Sequence, residues 1–534
     1  MLDTKKKSLL HIFLIAAFIA AIFFPSLYME WKYIEDNAYF ISNPLFSNYP
    51  IENRLAWAWA ERPESNYIPL TWSLTIILQK LSSGPFSIHL TSLLIHIANS
   101  ILAYLLCRKL RLSGILSAVA VLIFALHPLR VESVVWASSI KGLLAANFLL
   151  LTFYLWYDNK VKFAPLAFLL SILSKQTLIA APIICLLDSK GKKLPKLSLG
   201  IMVGISVIGA ALAIWSNQGN PSPFLSEGIT LRPLHATAAL GHYTFTNVFP
   251  INLIVDYPKN ISALNLCFGL CILLATGWAL WKTYQGSHKI YHIAIIAFVA
   301  LLVPVLGIIP TPLEFAADRL SYLPSLFLII AIISLCSEYM KHSPAVLAFS
   351  VLPLSYLTHQ QINLWSDLEK QCKHALAAYP NHYTSLMSLA HLEAREKNFE
   401  QAADYAILVT EEHPIRYEGW ETLVQIYLST GKTEQATATS QRAHETAPSL
   451  SPNIHLLEAE IAQFQNDLET SIQFLDLAKD KGIDLFTIHY KKALGYLRFS
   501  QLEKAQSEAQ HCMNLQPDSL LIRELQQKIK TANQ

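Results

Sequence analysis

The sequence predicts an all-α protein in which a polytopic membrane helix bundle of about 11 spans precedes a superhelix of short helical repeats. Three observations predict this class. Hydrophobic residues make up 53% of the chain and charged residues only 15%, against roughly 25% in a typical soluble domain. Nearly all long apolar runs lie in residues 1–358. Prolines recur at a fixed interval in residues 359–534, which otherwise have the composition of a soluble domain. We therefore predict two domains, 1–358 and 359–534.

The apolar runs define the predicted spans, because a helix needs roughly 20 apolar residues to cross a bilayer. The run 163–188 is interrupted at Ser174-Lys175-Gln176, and we interpret it as a helical hairpin. The segment 231–254 is too polar for a span, and we interpret it as a helix at the outer interface that lines a cavity. The predicted spans are 9–28, 86–107, 113–129, 133–157, 163–174, 177–188, 197–215, 262–281, 290–310, 320–339 and 343–358.

Charges between the spans predict the orientation of the bundle. Lys5, Lys6 and Lys7 precede the first run, and no small-x-small cleavage motif follows it, so we expect an uncleaved first helix with a cytoplasmic N-terminus. Basic residues then gather in the inner connections and acids in the outer ones. About 11 crossings place the repeats outside, on the same side as Glu35 and Asp36, whereas one miscounted helix would place them in the cytoplasm. The inner basic residues include Arg108, Lys109, Arg111, Lys160, Lys162, Lys282 and Lys289.

The prolines of the C-terminal domain predict its repeat type. Pro380, Pro414 and Pro448 are 34 residues apart, and Pro517 follows 69 residues later. A 34-residue period is typical of tetratricopeptide repeats, in which small residues let paired helices approach closely. We expect a concave surface for a peptide or protein partner, with bracing of the membrane domain as the simpler alternative. The small and apolar positions include Leu386, Ala390, Ala402, Ala406, Trp420, Leu423, Tyr427, Ala436, Ala443, Ala493, Ala505 and Ala509.

Composition excludes several functions. The net charge of +3 and the lack of a basic patch interleaved with aromatic residues argue against nucleic-acid binding. The seven cysteines show neither metal-binding nor disulfide spacing.

Polar residues near the predicted outer face form a candidate site. Glu35 and Asp36 follow the first span, and Lys141 and Lys175 interrupt apolar runs, where a charge is costly without a partner or an anionic ligand. The simpler explanations are solvated acids, a helix ended by His-Pro, and basic side chains that extend to the interface. The remaining candidates are His89, His127, Arg130, Glu132, Asp256, Arg319 and Tyr322.

These residue types suit a lipid-linked phosphate. Cations would hold the phosphate, and a carboxylate would deprotonate an acceptor hydroxyl. The spacing of these residues does not require a metal ion, and a divalent ion near the two acids is kept as an alternative.

Several short motifs, taken together, resemble those of transmembrane O-mannosyltransferase-like proteins that carry tetratricopeptide repeats. The strongest runs from Leu122 to Trp136 and is followed by Ser139-Ile140-Lys141. Relatives commonly have two adjacent aspartates where this chain has Glu35-Asp36. The other motifs are Asn66-Tyr67-Ile68-Pro69-Leu70-Thr71-Trp72, His89 with Asn99, Leu173-Ser174-Lys175-Gln176, Phe249-Pro250 with Asp256-Tyr257, and Asp318-Arg319-Leu320-Ser321-Tyr322-Leu323-Pro324.

The resemblance implies the C-type glycosyltransferase (GT-C) fold and an inverting enzyme of the bacterial inner membrane. It would transfer a sugar such as mannose from a polyprenyl-phosphate donor to a periplasmic protein or glycan that the repeats recruit. Asp36 would be the base, supported by Glu35. The implied donor-phosphate contacts are Arg130, Lys141, Lys175 and Arg319, and the implied orienting residues are His127, Glu132, His89, Asp256 and Tyr322.

Two other functions stay open. A non-enzymatic membrane scaffold would use only the repeats, to recruit partners to an envelope assembly. An O-antigen ligase or polymerase would also join spanning helices to repeats, with a diphosphate-linked oligosaccharide as donor.

Overall fold

The structure is a computed structural model that describes residues 2–31, 36, 39–40, 51–61, 66–82, 84–188, 195–216, 229–259, 261–307, 315–339, 347–447, 451–515 and 520–532. It contains two compact units, Met1–Gln371 and Cys372–Gln534. Throughout the described residues the regular elements are helices, and the only extended pairing among them is a single bridge between Tyr257 and Ala316. The predicted all-α class is therefore confirmed.

The first unit contains fifteen α-helices within its described residues. They are α1 Leu2–Phe23, α2 Ile51–Ala60, α3 Pro69–Leu81, α4 Phe86–Lys109, α5 Gly114–Ala125, α6 Val131–Val135, α7 Ile140–Tyr157, α8 Ala164–Ser174, α9 Ala181–Asp188, α10 Lys196–Ser216, α11 Arg232–Val248, α12 Ala263–Tyr284, α13 Ile290–Leu302, α14 Tyr322–Tyr339 and α15 Val351–Trp365.

Fewer helices than predicted are long and apolar enough to span a membrane. Six described segments meet this test, and a seventh forms if α5 and the following Pro128–Val135 count as one span bent by 60°. Three further predicted spans correspond to shorter apolar helices, at Ala164–Ser174, Gln176–Leu187 and Ile290–Val305. The six long segments are Lys6–Tyr28, Phe86–Lys109, Ala137–Tyr157, Lys196–Ser216, Ala263–Tyr284 and Asp318–Tyr339.

One detail of the predicted path is wrong. Helix α8 packs on α7 and α10, whereas α9 packs on α10 and α13, which is not the packing of a helical hairpin. The predicted last span, 343–358, begins outside the described residues, and its later part lies in α15, which carries a polar stretch, Thr358-His359-Gln360-Gln361. Its Thr358 hydroxyl is buried and donates to the Leu126 carbonyl at 2.7 Å.

Basic residues gather at one end of the bundle. Lys109 at the end of α4 pairs with Asp158 at the end of α7, and Lys160 lies 2.8 Å from the same carboxylate. Lys289, just before α13, pairs with Glu338 near the end of α14. We call this the basic end. The opposite ends of α4, α7 and α14 carry the candidate active site.

Helices α11 and α12 approach each other at two glycines. A Cβ atom on Gly241 would lie 1.7 Å from the Asn265 carbonyl oxygen, and one on Gly269 would lie 2.1 Å from the Thr237 carbonyl oxygen. The segment that we predicted as an interfacial helix is thus closely paired with α12.

Replacing either glycine should separate this helix pair. We expect Gly241→Ala or Gly269→Ala to destabilise the protein by more than about 2 kcal/mol, because the obstructing atoms belong to backbone. Thermal unfolding in detergent measures the effect. Gly277→Ala in α12 is the control, since nothing lies within 4 Å of its Cβ position. Equal melting temperatures for Gly241→Ala and Gly277→Ala would contradict the close approach.

The second unit consists of helix pairs. Its described helices are α16 Leu368–Ala378, which begins in the first unit, α17 Tyr383–Arg395, α18 Phe399–Glu412, α19 Tyr417–Ser429, α20 Thr433–Thr446, α21 Asn453–Phe464, α22 Leu468–Asp480, α23 Leu485–Arg498, α24 Leu502–Leu515 and α25 Leu520–Ala532. The predicted small positions are buried, including Ala390, Ala402 and Ala436. Pro448 and Pro517 lie outside the described residues.

The turns show that the repeat period holds throughout this unit. One residue with positive φ lies in the turn of each of four successive helix pairs: Lys397, Gly431, Asn466 and Ser500. Their spacings are 34, 35 and 34 residues. The third repeat, whose sequence is degenerate, therefore keeps the same backbone geometry as its neighbours.

Glu421 makes the stability of the repeat unit pH-dependent. Burial, with the neighbouring Glu418 as a smaller cause, raises the pKa of its carboxyl from 4.5 to about 7. The stabilisation from the protonated carboxyl is fully present below pH 4.5 and is lost as the pH rises through about 7. We expect Glu421→Gln to stabilise the chain by about 1–2 kcal/mol at pH 8 and by almost nothing at pH 4.5. Unfolding at both pH values measures this, with exposed Glu445→Gln as the control. An equal effect at both pH values would contradict it.

Candidate active site

A continuous buried segment, 127–141, organises the candidate site. Pro128 cannot continue α5 because it lacks an N–H, and the chain turns there into a 3-10 helix, Pro128–Arg130. Short α6 and a second 3-10 helix, Ala137–Ser139, lead into α7. Residues 127–140 are all buried. We call 127–141 the core segment.

Glu132 of the core segment holds Arg319. Its carboxylate is 2% exposed and accepts the Arg319 backbone N–H at 2.8 Å and, in an ion pair, the Arg319 guanidinium. The guanidinium lies 5.0 Å from the Trp136 ring and donates to the Val255 carbonyl at 3.3 Å. Glu132 thus fixes the position of Arg319.

The residues just before Arg319 bond to the loop that contains Tyr257 and hold it at this end of the bundle. The Tyr257 hydroxyl donates to the Asp318 carboxylate at 3.0 Å, and the Tyr257 N–H donates to the Ala316 carbonyl at 2.9 Å. Burial, and then the Asp318 charge, raise the pKa of Tyr257 well above 10, so the phenol stays a donor. The predicted Asp256 is half-buried beside Tyr257.

Arg130 has a structural role in this conformation. It is completely buried and donates to the Tyr322 carbonyl at 2.6 Å and to the Ser325 hydroxyl at 3.0 Å. Its guanidinium also lies 5.2 Å from the Phe124 ring. We therefore replace its predicted phosphate contact with a positioning role, because its donors point at the start of α14.

Tyr322 is fixed from the other side by α4. Its hydroxyl is 2.7 Å from His96 Nδ1 and accepts from the Asn99 amide at 3.2 Å. His89, which we predicted as an orienting residue, is buried on the same helix. His127 caps the 3-10 turn, since its Nδ1 accepts the Leu129 N–H at 3.3 Å. This contact agrees with the simpler explanation given above, in which the His-Pro pair ends a helix.

Asp36 is anchored at the end of the core segment. The carboxylate is fully buried, and its Oδ1 accepts the Ser138 N–H at 3.1 Å and the Ser138 hydroxyl at 2.9 Å. Lys141, one turn further, donates to the Tyr39 hydroxyl at 2.8 Å and lies 4.2 Å from its ring. Asp36 and Tyr39 are thus attached to the residues around the start of α7. Glu35 lies outside the described residues.

Lys175 lies at the break between α8 and α9. The preceding Ser174 carbonyl accepts a hydrogen bond from Thr71 at 3.0 Å, and the Gln176 amide donates to the Tyr67 carbonyl. Two motifs singled out in the sequence, 66–72 and 173–176, therefore contact each other.

Lys175, Arg319 and Tyr322 line one small cavity. Gly142, which follows Lys141, is also part of its wall. The volume is about 20 Å³, enough for roughly one water molecule. Between Lys175 and Arg319 the described residues therefore leave less space than a sugar phosphate needs.

The sequence missed two residues that hold the site, Ser138 and Tyr39, because nothing in their spacing reveals their partners. Asp318 and Tyr257 stand in two of the quoted motifs, but their hydrogen bond to each other was not predicted. The described ranges, which omit Glu35, contain no group of three or more His, Cys, Asp or Glu side chains that could hold a metal ion.

The ion pair between Glu132 and Arg319 should dominate the stability of this end. Glu132→Gln leaves a largely buried guanidinium without its carboxylate, and we expect a loss of about 3–5 kcal/mol in unfolding free energy. Glu132→Gln combined with Arg319→Met should recover much of this loss. Thermal unfolding of the wild type and the three variants completes the cycle. Additive effects of the two single substitutions would contradict the pairing.

Comparisons with known proteins reveal a distant similarity. No family model matches the chain. Protein O-mannosyl-transferase TMTC3 from Homo sapiens and its Mus musculus counterpart are each 23% identical to it. The alignments cover 83% and 82% of this chain but 56% and 55% of the relatives, so the chain spans about half the length of the curated relatives it matches.

Among solved structures, that of Pseudomonas aeruginosa pilF aligns with 48% of this chain and 98% of its own, at 16% identity. Its TM-score of 0.26 is too low to define a shared fold. The chain is thus a multi-helix protein with apolar candidate spans and distant similarity to a protein O-mannosyl-transferase.

Proposed function

We propose that the chain is a membrane glycosyltransferase that moves a sugar, mannose by similarity, from a polyprenyl-phosphate donor to a protein or glycan acceptor. The observation that carries this proposal is the similarity to protein O-mannosyl-transferases over 83% of the chain. It includes part of both units, because neither unit alone contains that share of the residues.

The geometry supports the roles of three cations and one acid. The core segment and its neighbours contribute Asp36, Lys141 and Arg319 at the end of the bundle opposite the basic end. Lys175 shares a cavity with Arg319. Charge-assisted contacts of this kind bind phosphate oxygens strongly.

The proposed reaction is a single displacement with inversion. The Asp36 carboxylate takes the proton of the acceptor hydroxyl, and that oxygen bonds to C1 of the sugar. The bond between C1 and the phosphate oxygen breaks, and its electron pair leaves with the polyprenyl phosphate. Lys175 and Arg319, with Lys141, stabilise the negative charge that develops there. Glu132 positions Arg319, and Arg130 positions Tyr322.

The proposal requires an opening step. Asp36 is buried against Ser138, and the cavity admits about one water molecule. Donor binding would have to release Asp36 from Ser138 and enlarge the space between Lys175 and Arg319. Closure over substrate that excludes water is common among transferases.

By the same proposal, the protein lies in a bacterial inner membrane with its N-terminus in the cytoplasm. The active site and the repeats would face the periplasm. The excess of basic residues at the other end of the bundle supports this orientation.

Substitution of Asp36 tests the mechanism. Asp36→Asn keeps the shape of the side chain but removes the base, so we expect transfer to fall by roughly 10²–10⁴-fold. The assay uses membranes supplied with radiolabelled polyprenyl-phosphate mannose. Asp158→Asn, at the basic end, is the control and should leave the rate unchanged. Undiminished transfer by Asp36→Asn would refute the assignment of the base.

A second candidate is the non-enzymatic scaffold, which is favoured by the small space that the described residues leave between Lys175 and Arg319. In that case the buried contacts of Asp36, Arg130 and Glu132 would serve stability alone. Wild-type membranes would then show no transfer from any lipid-linked sugar, whereas deletion of 372–534 would abolish the cellular function.

A further inference from the structure

A second, larger cavity opens at the basic end of the bundle. It has a volume of about 480 Å³, within the range of roughly 300–1,000 Å³ that is usual for small-molecule sites. The walls come from the connection between α4 and α5, the end of α7, and α9, α13 and α14. None of the residues assigned above to the candidate active site lines it.

The lining of this cavity is amphipathic. Lys109, Arg111 and His288 supply basic groups, and Asn159 adds a polar one. The rest of the wall is mainly apolar, and it includes Ile184, Ile293 and the two contacting rings of Phe153 and Phe327. A ligand that matches both parts carries an anionic group joined to hydrocarbon.

The cavity extends from the end of the bundle toward its middle. Glu338, near the last turn of α14, pairs with Lys289 at the basic end. Phe327 lies 11 residues earlier on the same helix, which corresponds to about 16 Å of helix length. A single headgroup would not reach that far, whereas an acyl chain would.

Arg111 lines the cavity in a backbone conformation that arginine rarely adopts. It adopts φ +68° just beyond the end of α4, a position where glycine is usual and other residues are strained. Its backbone N–H donates to the Arg108 carbonyl, and the Leu112 N–H donates to the Cys107 carbonyl. Within the described residues its guanidinium makes no hydrogen bond or ion pair, whereas the neighbouring Arg108 is bound to the Leu112 carbonyl. The Arg111 guanidinium is therefore available to a ligand at the rim of the cavity.

The charge at the rim also favours an anion. Asp158 is shared by Lys109 and Lys160, so one carboxylate faces two ammonium groups. Arg111 adds further positive charge at the rim. An anionic lipid headgroup would gain about 1 kcal/mol per nearby basic residue.

We propose that this cavity binds an anionic phospholipid, with the phosphate on Arg111 and Lys109 and one acyl chain against Phe153 and Phe327. The site is separate from the proposed donor site, because the two lie at opposite ends of α7. A lipid there would fill the space between α7, α9, α13 and α14 and brace the helices that carry Lys175 and Arg319.

Native mass spectrometry of the full chain, released from detergent, tests the proposal. The probes are phosphatidylglycerol, phosphatidylcholine with the same acyl chains, and glycerol phosphate without chains. We expect phosphatidylglycerol to bind at least ten-fold more tightly than either of the others. Equal binding of the two lipids, or binding of glycerol phosphate as tight as that of phosphatidylglycerol, would overturn the proposal.

Arg111→Gly gives a variant in which misfolding is not a concern. Glycine suits the φ of +68° better than arginine does, so the turn should form at least as well. We expect the affinity for phosphatidylglycerol to fall at least ten-fold. Lys162→Gln, at the same end but outside the cavity lining, should bind like the wild type. Unchanged binding by Arg111→Gly, or an equal loss in Lys162→Gln, would overturn the proposal.

The acyl-chain position is tested independently. Phosphatidylglycerol with a photoreactive diazirine on its chain should label peptides that contain Phe153, Ile293 or Phe327. Labelling only of exposed outward-facing residues such as Leu274 and Ile208 would indicate ordinary boundary lipid and would contradict a built site.

Discussion

Burial of charge in the core segment constrains the rest of the membrane unit. Arg130 is fully buried and Glu132 nearly so, and an unpaired charge in such a place would cost several kcal/mol. Their partners come from residues 318–325. Because these two side chains bond to the start of α14 and to the residues before it, that region packs against the core segment. Tyr257 is attached to the same region by its hydrogen bond to Asp318. Ser138 and Lys141, further along, fasten Asp36 and Tyr39. One 15-residue stretch thus collects every element of the candidate site except the break at Lys175.

The two ends of the bundle differ in chemistry. At the candidate site, Lys141, Lys175 and Arg319 are partly buried. Arg319 pairs with a carboxylate and Lys141 contacts an aromatic ring. Lys175 and Arg319 line a space for about one water molecule. At the basic end, the cations are exposed and surround a much larger cavity. Transfer at the first end requires an opened state, and helices α7 and α14 connect both ends. A ligand in the second cavity therefore contacts the same helices, α7 and α14, whose other ends must move apart when a donor enters the candidate site.

The sequence predicted where the helices lie, and which segments form the candidate site, better than it predicted the side-chain contacts. Apolar run length locates α4, α10, α12 and α14 within a few residues, because a spanning helix must be long and apolar. The 34-residue period likewise predicts the turns at Lys397 and Gly431. The hairpin at Lys175 was wrong, since short apolar runs do not reveal which neighbours a helix packs on. Arg130 and Arg319 look equivalent in sequence, yet one ends among serine hydroxyls and the other on a carboxylate and an indole ring. That difference is decided by tertiary packing, which spacing along the chain does not encode.

The most direct test of the central claim is a cryo-electron microscopy structure of the full chain with polyprenyl-phosphate mannose bound. The account predicts phosphate density between Lys175 and Arg319, with the ion pair to Glu132 intact and the Asp36 carboxylate released from Ser138 toward C1 of the sugar. Phosphate density elsewhere, with Asp36 still enclosed against Ser138, would contradict it.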